Sequence, residues 1–181
     1  MKKVNKSRVA ILGLLFEKPR SGYSILQMMQ QSTDYFWQET DASVYPMLKI
    51  LEAEGKVTVK SEFVGKRERK IFEITQAGKD EFLAWMATPA EKENRRNELL
   101  LKLFLGATVA TEDIVKQLAL HQQKALKIKK EFKSIENDVL SNVSNEHPHK
   151  RFWLMALRYG ILHNEAELAW LDECFNVLEK K

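Results

Sequence analysis

Ser43, Tyr45 and Lys49 fall within two helical turns of one another and carry a hydroxyl, a phenol and an ammonium group. On a helix Tyr45 and Lys49 stand one turn apart, with Pro46 beside them. Val44, Met47, Leu48 and Leu51 follow the i, i+3, i+4, i+7 spacing of a buried stripe. A helix with one apolar face and donors on another can lie in the major groove of a duplex. There hydroxyls meet base-edge acceptors, and a lysine reaches a phosphate or a guanine edge. Further along, Lys66, Arg67, Arg69 and Lys70 crowd one stretch interrupted by Glu68. Such a group neutralises phosphates and makes binding strongly salt-dependent.

The elements that must position these groups are legible in the pattern. A helical run over residues 7–16 is closed by Pro19. Ser21-Gly22-Tyr23-Ser24 is a turn and cap signal opening a second helix through residue 31. The third helix is predicted over residues 43–54, with Gly55 as its stop. Pro46 then belongs in the first turn, where its missing N–H costs nothing, and Ser43 is the better cap; Thr40 and Asp41 are caps before they are contacts. After Gly55 the period switches to alternation: Val57, Val59, Ser61 and Phe63 face one way, Thr58, Lys60 and Glu62 the other. Gly65-Lys66-Arg67 supplies a turn, and Lys70, Phe72 and Ile74 alternate with Ile71 and Glu73 on the way back, a β-hairpin with a basic tip. Thr75 caps a fourth helix ending before Pro89, its Phe82 and Trp85 able to pack inward. Helix, helix, turn, helix and hairpin is the order of a winged helix-turn-helix.

Charge agrees with this division. Residues 1–78 hold 13 Lys and Arg against 9 Asp and Glu, whereas residues 79–181 hold 16 of each, so the net +4 lies in the first part. The expected organisation is a winged helix-turn-helix over residues 1–88, a polar linker over 89–98, and a helical, coiled-coil-like dimerisation domain over 99–181. In the last part an apolar piece over 99–105 precedes two long helices, 112–140 and 148–178. Ile114, Leu118, His121, Ala125, Ile128, Phe132, Ile135 and Val139 form one heptad seam; Leu154, Leu157, Ile161, Asn164, Leu168, Leu171, Phe175 and Leu178 form another. The final helix carries a second stripe of Phe152, Met155, Tyr159, Leu162, Ala166 and Ala169. One arc can meet its own chain and the other a second subunit, so a homodimer is expected. His121 and Asn164 are polar seam positions of the kind that fix register. Alternatively His121, His163, Trp153 and Arg158 line a ligand cavity at the subunit interface, with Ala125 and Tyr159 in the packing around it.

Other chemistry has little to stand on. There is no glycine-rich phosphate loop, no nucleophile motif, and no carboxylate–histidine set at ligand spacing, so no enzyme and no cofactor are expected. His147 and His149 fall in a loop without i, i+4 pairing, which argues against a metal site. Cys174, the single cysteine, reads as a small buried hydrophobe. The apolar run Val9 to Phe16 lacks a small-residue cleavage site and is read as helix rather than leader. No stretch approaches the roughly 20 apolar residues of a spanning helix, so no membrane partner is expected and the expected location is the cytoplasm. A winged helix used only for protein interaction is the competing reading; it would gain nothing but solubility from the basic wing.

The strings ILGLL, SGYS, ASVYPMLKILEAEGKV and RKIFEITQAGK over residues 11–79 resemble the PadR family of transcriptional regulators. Ser43-Val44-Tyr45-Pro46-x-Leu48 and Phe72-Glu73-Ile74-Thr75-x-Ala77-Gly78 carry most of the likeness, and Ile71 stands where many relatives have an aromatic. RNELLLKLFL and WLDE resemble the subgroup with a long C-terminal helical domain. The resemblance implies a homodimer on a two-fold symmetric, inverted-repeat DNA operator, acting as a repressor and in some members released by a small aromatic effector. It points to Ser43, Tyr45 and Lys49 on the recognition helix, Ser21 and Tyr23 at the start of the second helix, and Lys66, Arg67 and Arg69 on the wing.

Overall fold

The computed structural model describes residues 5–32, 35–64, 67–92 and 96–179, and divides into two compact units, residues 1–92 and 93–181. The fold is mainly helical. The first unit runs α1 (Lys6–Glu17), β1 (Arg20–Ser21), α2 (Gly22–Ser32), α3 (Asp41–Ala53), β2 (Val57–Val64), β3 (Arg67–Ile74) and α4 (Gln76–Met86). Its core gathers Ile11, Leu12 and Leu15 of α1, Ile25 and Met29 of α2, and Val44, Leu48 and Leu51 of α3, closed by Val57 and Phe72 from the sheet. Each such side chain contributes about 1.5–3 kcal/mol on burial. The stripe read from sequence on α3 is therefore the face that holds the helix down.

Two local expectations are corrected. The third helix starts at Asp41 with Thr40 as N-cap, not at Ser43, so Pro46 sits inside the helix. Its missing N–H leaves the Ala42 carbonyl without its helical donor. Ala42 and Pro46 are both solvent-exposed, where water supplies that bond. On the wing, Arg67 is the first residue of β3, paired with Val64, rather than a turn residue. The alternation otherwise holds: Val57 opposes Ile74, Val59 opposes Phe72 and Ser61 opposes Lys70. The sheet also has a third strand that the alternation did not predict, β1, with Arg20 opposite Phe72 and Ser21 opposite Ile71. Gly55 takes φ +67° after α3, the left-handed turn a glycine stop provides. Thr75 caps α4 by accepting from the Gly78 N–H at 3.2 Å and donates its own hydroxyl to the Gly55 carbonyl at 2.8 Å. That pair locks the wing's return strand to the helix behind it.

The second unit consists of α5 (Glu98–Phe104), a 3-10 turn (Gly106–Thr108), α6 (Thr111–Asn142) and α7 (Lys150–Glu179). α6 and α7 run antiparallel, with Leu118 clustered with Leu171 and Phe132 against Gly160. A Cβ at Gly160 would lie 2.8 Å from the Phe132 ring, so glycine lets the helices close on an aromatic. Lys150 is buried at the turn between them. Its ammonium donates to the Val143 carbonyl at 2.5 Å, the Leu140 carbonyl at 3.2 Å and Asn145 Oδ1 at 2.9 Å, capping the end of α6. Cys174 packs beside the Leu118–Leu171 cluster, and burial, reinforced by Glu173, pushes its thiol up. Among the described residues no helix is long and apolar enough to cross a membrane, and no group of three His, Cys, Asp or Glu could hold a metal ion.

Candidate nucleic-acid interface

With Val44, Met47, Leu48 and Leu51 inward, α3 turns Ala42, Tyr45, Pro46 and Lys49 to solvent. Tyr45 is 41% exposed because one edge of its ring rests on the start of α2. A Cβ added at Gly22 would lie 2.6 Å from Tyr45 Cε1. The absence of a side chain at Gly22 thus sets the tilt of Tyr45, and Tyr23, 64% exposed, stands next to it on α2. Two phenols and an ammonium group share this region of the unit.

Ser43 is used differently. It occupies the third position of α3, and its hydroxyl oxygen accepts from the Thr40 N–H at 3.0 Å while its proton goes to the Glu39 carboxylate. Glu39 is 6% exposed and also accepts from Trp37 Nε1 at 2.7 Å and from Ser7 on α1. Burial by itself would raise this carboxyl; the bonds donated by Ser43, Ser7 and Trp37 outweigh it and hold Glu39 below the ordinary carboxylate range. Sequence reasoning missed Glu39, and only the neighbouring Thr40-x-x-Ser43 spacing hinted that this helix start is built from side chains.

Ser21 is buried, and its hydroxyl accepts from the Ser24 N–H at 3.2 Å and from the Arg69 guanidinium at 2.8 Å. Arg69 therefore ties the wing to the start of α2. Arg67 opens β3, and Lys66 lies outside the described residues. Farther down, Arg8 of α1 pairs with Glu81 of α4 and, at 2.5 Å, with Glu54 beyond α3, while Lys56 reaches Glu81 at 3.1 Å. The network clamps the helices behind the exposed face.

The C-terminal candidates do not converge on one cavity within the chain. His121 lines a 360 Å³ cleft between α5 and α6 with Arg96, Lys102 and Gln117. Ala125 is buried in the seam. Trp153 stacks with His149 at 5.9 Å and meets His147 at 4.9 Å near the α6–α7 turn. Tyr159 and His163 face outward, their rings 6.2 Å apart. Arg158 and Asn164 line a separate cleft between α6 and α7.

Residues 11–84 match the transcriptional regulator PadR-like family, and residues 95–179 match the virulence activator alpha C-terminal family. The negative transcriptional regulator PadR of Bacillus subtilis is 31% identical over 59% of each chain. The crystal structure of a PadR-like transcriptional regulator from Bacillus cereus superposes with TM-score 0.81 at 26% identity, covering 96% of this chain and 98% of that one. Bacillus subtilis PadR in complex with operator DNA superposes with TM-score 0.84 at 23% identity, covering 95% and 98%. The same protein with p-coumaric acid gives 0.79 at 21% identity, covering 96% and 98%. The PadR-like match of the first unit, the PadR relative and the shared winged-helix architecture support a PadR family transcriptional regulator, a family of DNA-binding proteins and not enzymes.

Proposed function

We propose that this protein is a cytoplasmic homodimeric repressor that binds an inverted-repeat operator and is released by a small aromatic effector. The observation that carries the DNA reading is the free face of α3, where Tyr45 and Lys49 stand exposed opposite a buried apolar stripe. Tyr45 and Tyr23 read or flank bases, and Lys49 takes a phosphate or guanine edge. Lys66 and Arg67 neutralise phosphates, whereas Ser43, Ser21 and Arg69 hold the helices and wing in register. The homodimer rests on the α7 stripe, where Phe152, Met155, Tyr159 and Leu162 are exposed in the single chain. Repression is favoured by the Bacillus subtilis relative described as a negative regulator, and the effector by that protein's complex with p-coumaric acid. A gel shift against the promoter of the protein's own gene tests the reading. The expected result is a salt-sensitive, saturable complex that random DNA of equal length does not compete away; equal affinity for both DNAs would refute operator recognition.

A further inference from the structure

Phe63 is 74% exposed on β2, farther out along the strand than Val57 and Val59, which pack with α1, α2 and α3. Alternation puts it on the same face of the sheet as those two valines. At about 3.3 Å per residue it lies about 13 Å beyond Val59, past the reach of that core. A solvated hairpin end asks for polar side chains, and Ser61, Glu62, Glu68, Arg69 and Lys70 already supply them. A phenyl group among them is apolar area that only a partner can remove from water.

The cross-strand register indicates the partner. Phe63 opposes Glu68, and Lys70, opposite Ser61, lies on the same face. The Glu68 carboxylate accepts from the Ser61 hydroxyl at 2.6 Å, which draws its charge back toward the base of the wing. That face of the wing thus ends in a phenyl group with an ammonium group behind it, a combination suited to a polyanion with apolar edges. On the opposite face Arg69 donates to Ser21, which ties the wing to the start of α2. α3 packs on the same side of the sheet, so a duplex on its exposed face passes the wing on the side to which Phe63 points. We propose that Phe63 packs in the minor groove flanking the major groove met by α3. Its ring lies against deoxyribose edges, with Lys70 toward the adjoining phosphate. The wing then holds DNA by an apolar, salt-independent contact as well as by charge. The inference rests on DNA binding through α3 and adds a contact that the basic residues do not explain.

Gel shifts over a range of salt, with a duplex from the promoter of the protein's own gene, test it. Phe63→Ala should lower affinity about tenfold at every salt concentration, leaving the slope of log affinity against log salt unchanged. Lys70→Ala should instead reduce that slope by roughly one. Phe63→Leu keeps an apolar side chain and should recover most of the loss. Hydroxyl-radical footprinting should show protection of minor-groove sugars by the parent that Phe63→Ala loses. Affinity of Phe63→Ala within about twofold of the parent, or an unchanged footprint, overturns the proposal. So does a fall in oligomeric mass by light scattering in Phe63→Ala, since the ring would then belong to a protein contact. Deoxyribose is common to every sequence, so Phe63→Ala should also bind random DNA less tightly. A parent without operator preference therefore refutes operator recognition while Phe63→Ala still decides the wing contact; a parent that binds no DNA overturns both.

Discussion

A carboxylate withdrawn from water beside the start of a helix is costly unless donors surround it, and Glu39 collects them from Trp37, Ser43 and Ser7. It joins α1 to the first turn of α3, so it helps set where that helix begins. Glu39→Ala should destabilise the protein by about 1–3 kcal/mol in denaturant melts, and it should reduce operator affinity more than affinity for random DNA. Because the folded carboxyl lies below its ordinary value, the stabilisation is present above the unfolded pKa and lost as pH falls through the folded one. Gly22 poses a different test. Gly22→Ala pushes on the exposed Tyr45 ring and crowds the buried Leu48 at 3.2 Å, so it should lower the melting temperature modestly and weaken operator binding. Tyr45→Ala should likewise cost more on the operator than on random DNA; equal losses would remove Tyr45 as a base reader.

Elements are held by polar groups that hydrophobic spacing does not reveal. α4 is clamped to α1 through Glu81, whose carboxyl is held below the usual range chiefly by the hydrogen bond from Arg8, against burial, with Lys56 adding to it. This contribution too disappears on acidification through the folded pKa, never on alkalinisation. Thermal melts from pH 7 to 3 should therefore fall less steeply in Glu81→Gln than in the parent, from a lower starting stability. At the other end of the chain Lys150 satisfies two carbonyls and an amide oxygen at the α6–α7 turn. Lys150→Met should strip these acceptors and raise hydrogen exchange in the last turn of α6, leaving the first unit unaffected.

At the scale of the whole molecule, the seams of α6 and α7 are spent on each other inside one chain: Ile114 and Leu118 cluster with Leu171, and Phe132 packs on Gly160. The second α7 stripe keeps much of its surface exposed in the single chain, with Phe152 51% and Met155 67% exposed. A two-fold assembly would need its recognition helices about 34–36 Å apart to read successive major grooves. Met155→Glu should therefore yield a folded monomer with weakened operator binding, read by light scattering and gel shift. A parent that scatters as a monomer at micromolar concentration would refute the dimer.

Periodicity was enough to anticipate the winged helix, the face of α3, the pairing of the wing strands and the α6–α7 seam. Each follows from a local repeat of 3.6, 3.5 or 2 residues that any buried face imposes on its own sequence. The PadR resemblance added the order of elements and the family. What local pattern could not supply were bonds between groups far apart in the chain. Arg69 donates to Ser21 across 48 residues, β1 pairs with β3, and Ser7 and Glu39 meet at the start of α3. These decided that Ser21 and Ser43 are occupied in holding the fold, leaving Tyr45 and Lys49 exposed. Tertiary packing likewise decided that Pro46 is tolerated within a helix, since its orphaned carbonyl faces water. And it placed Asn164 with Arg158 but apart from His121 and Trp153, because which residues share a cleft depends on how two helices cross.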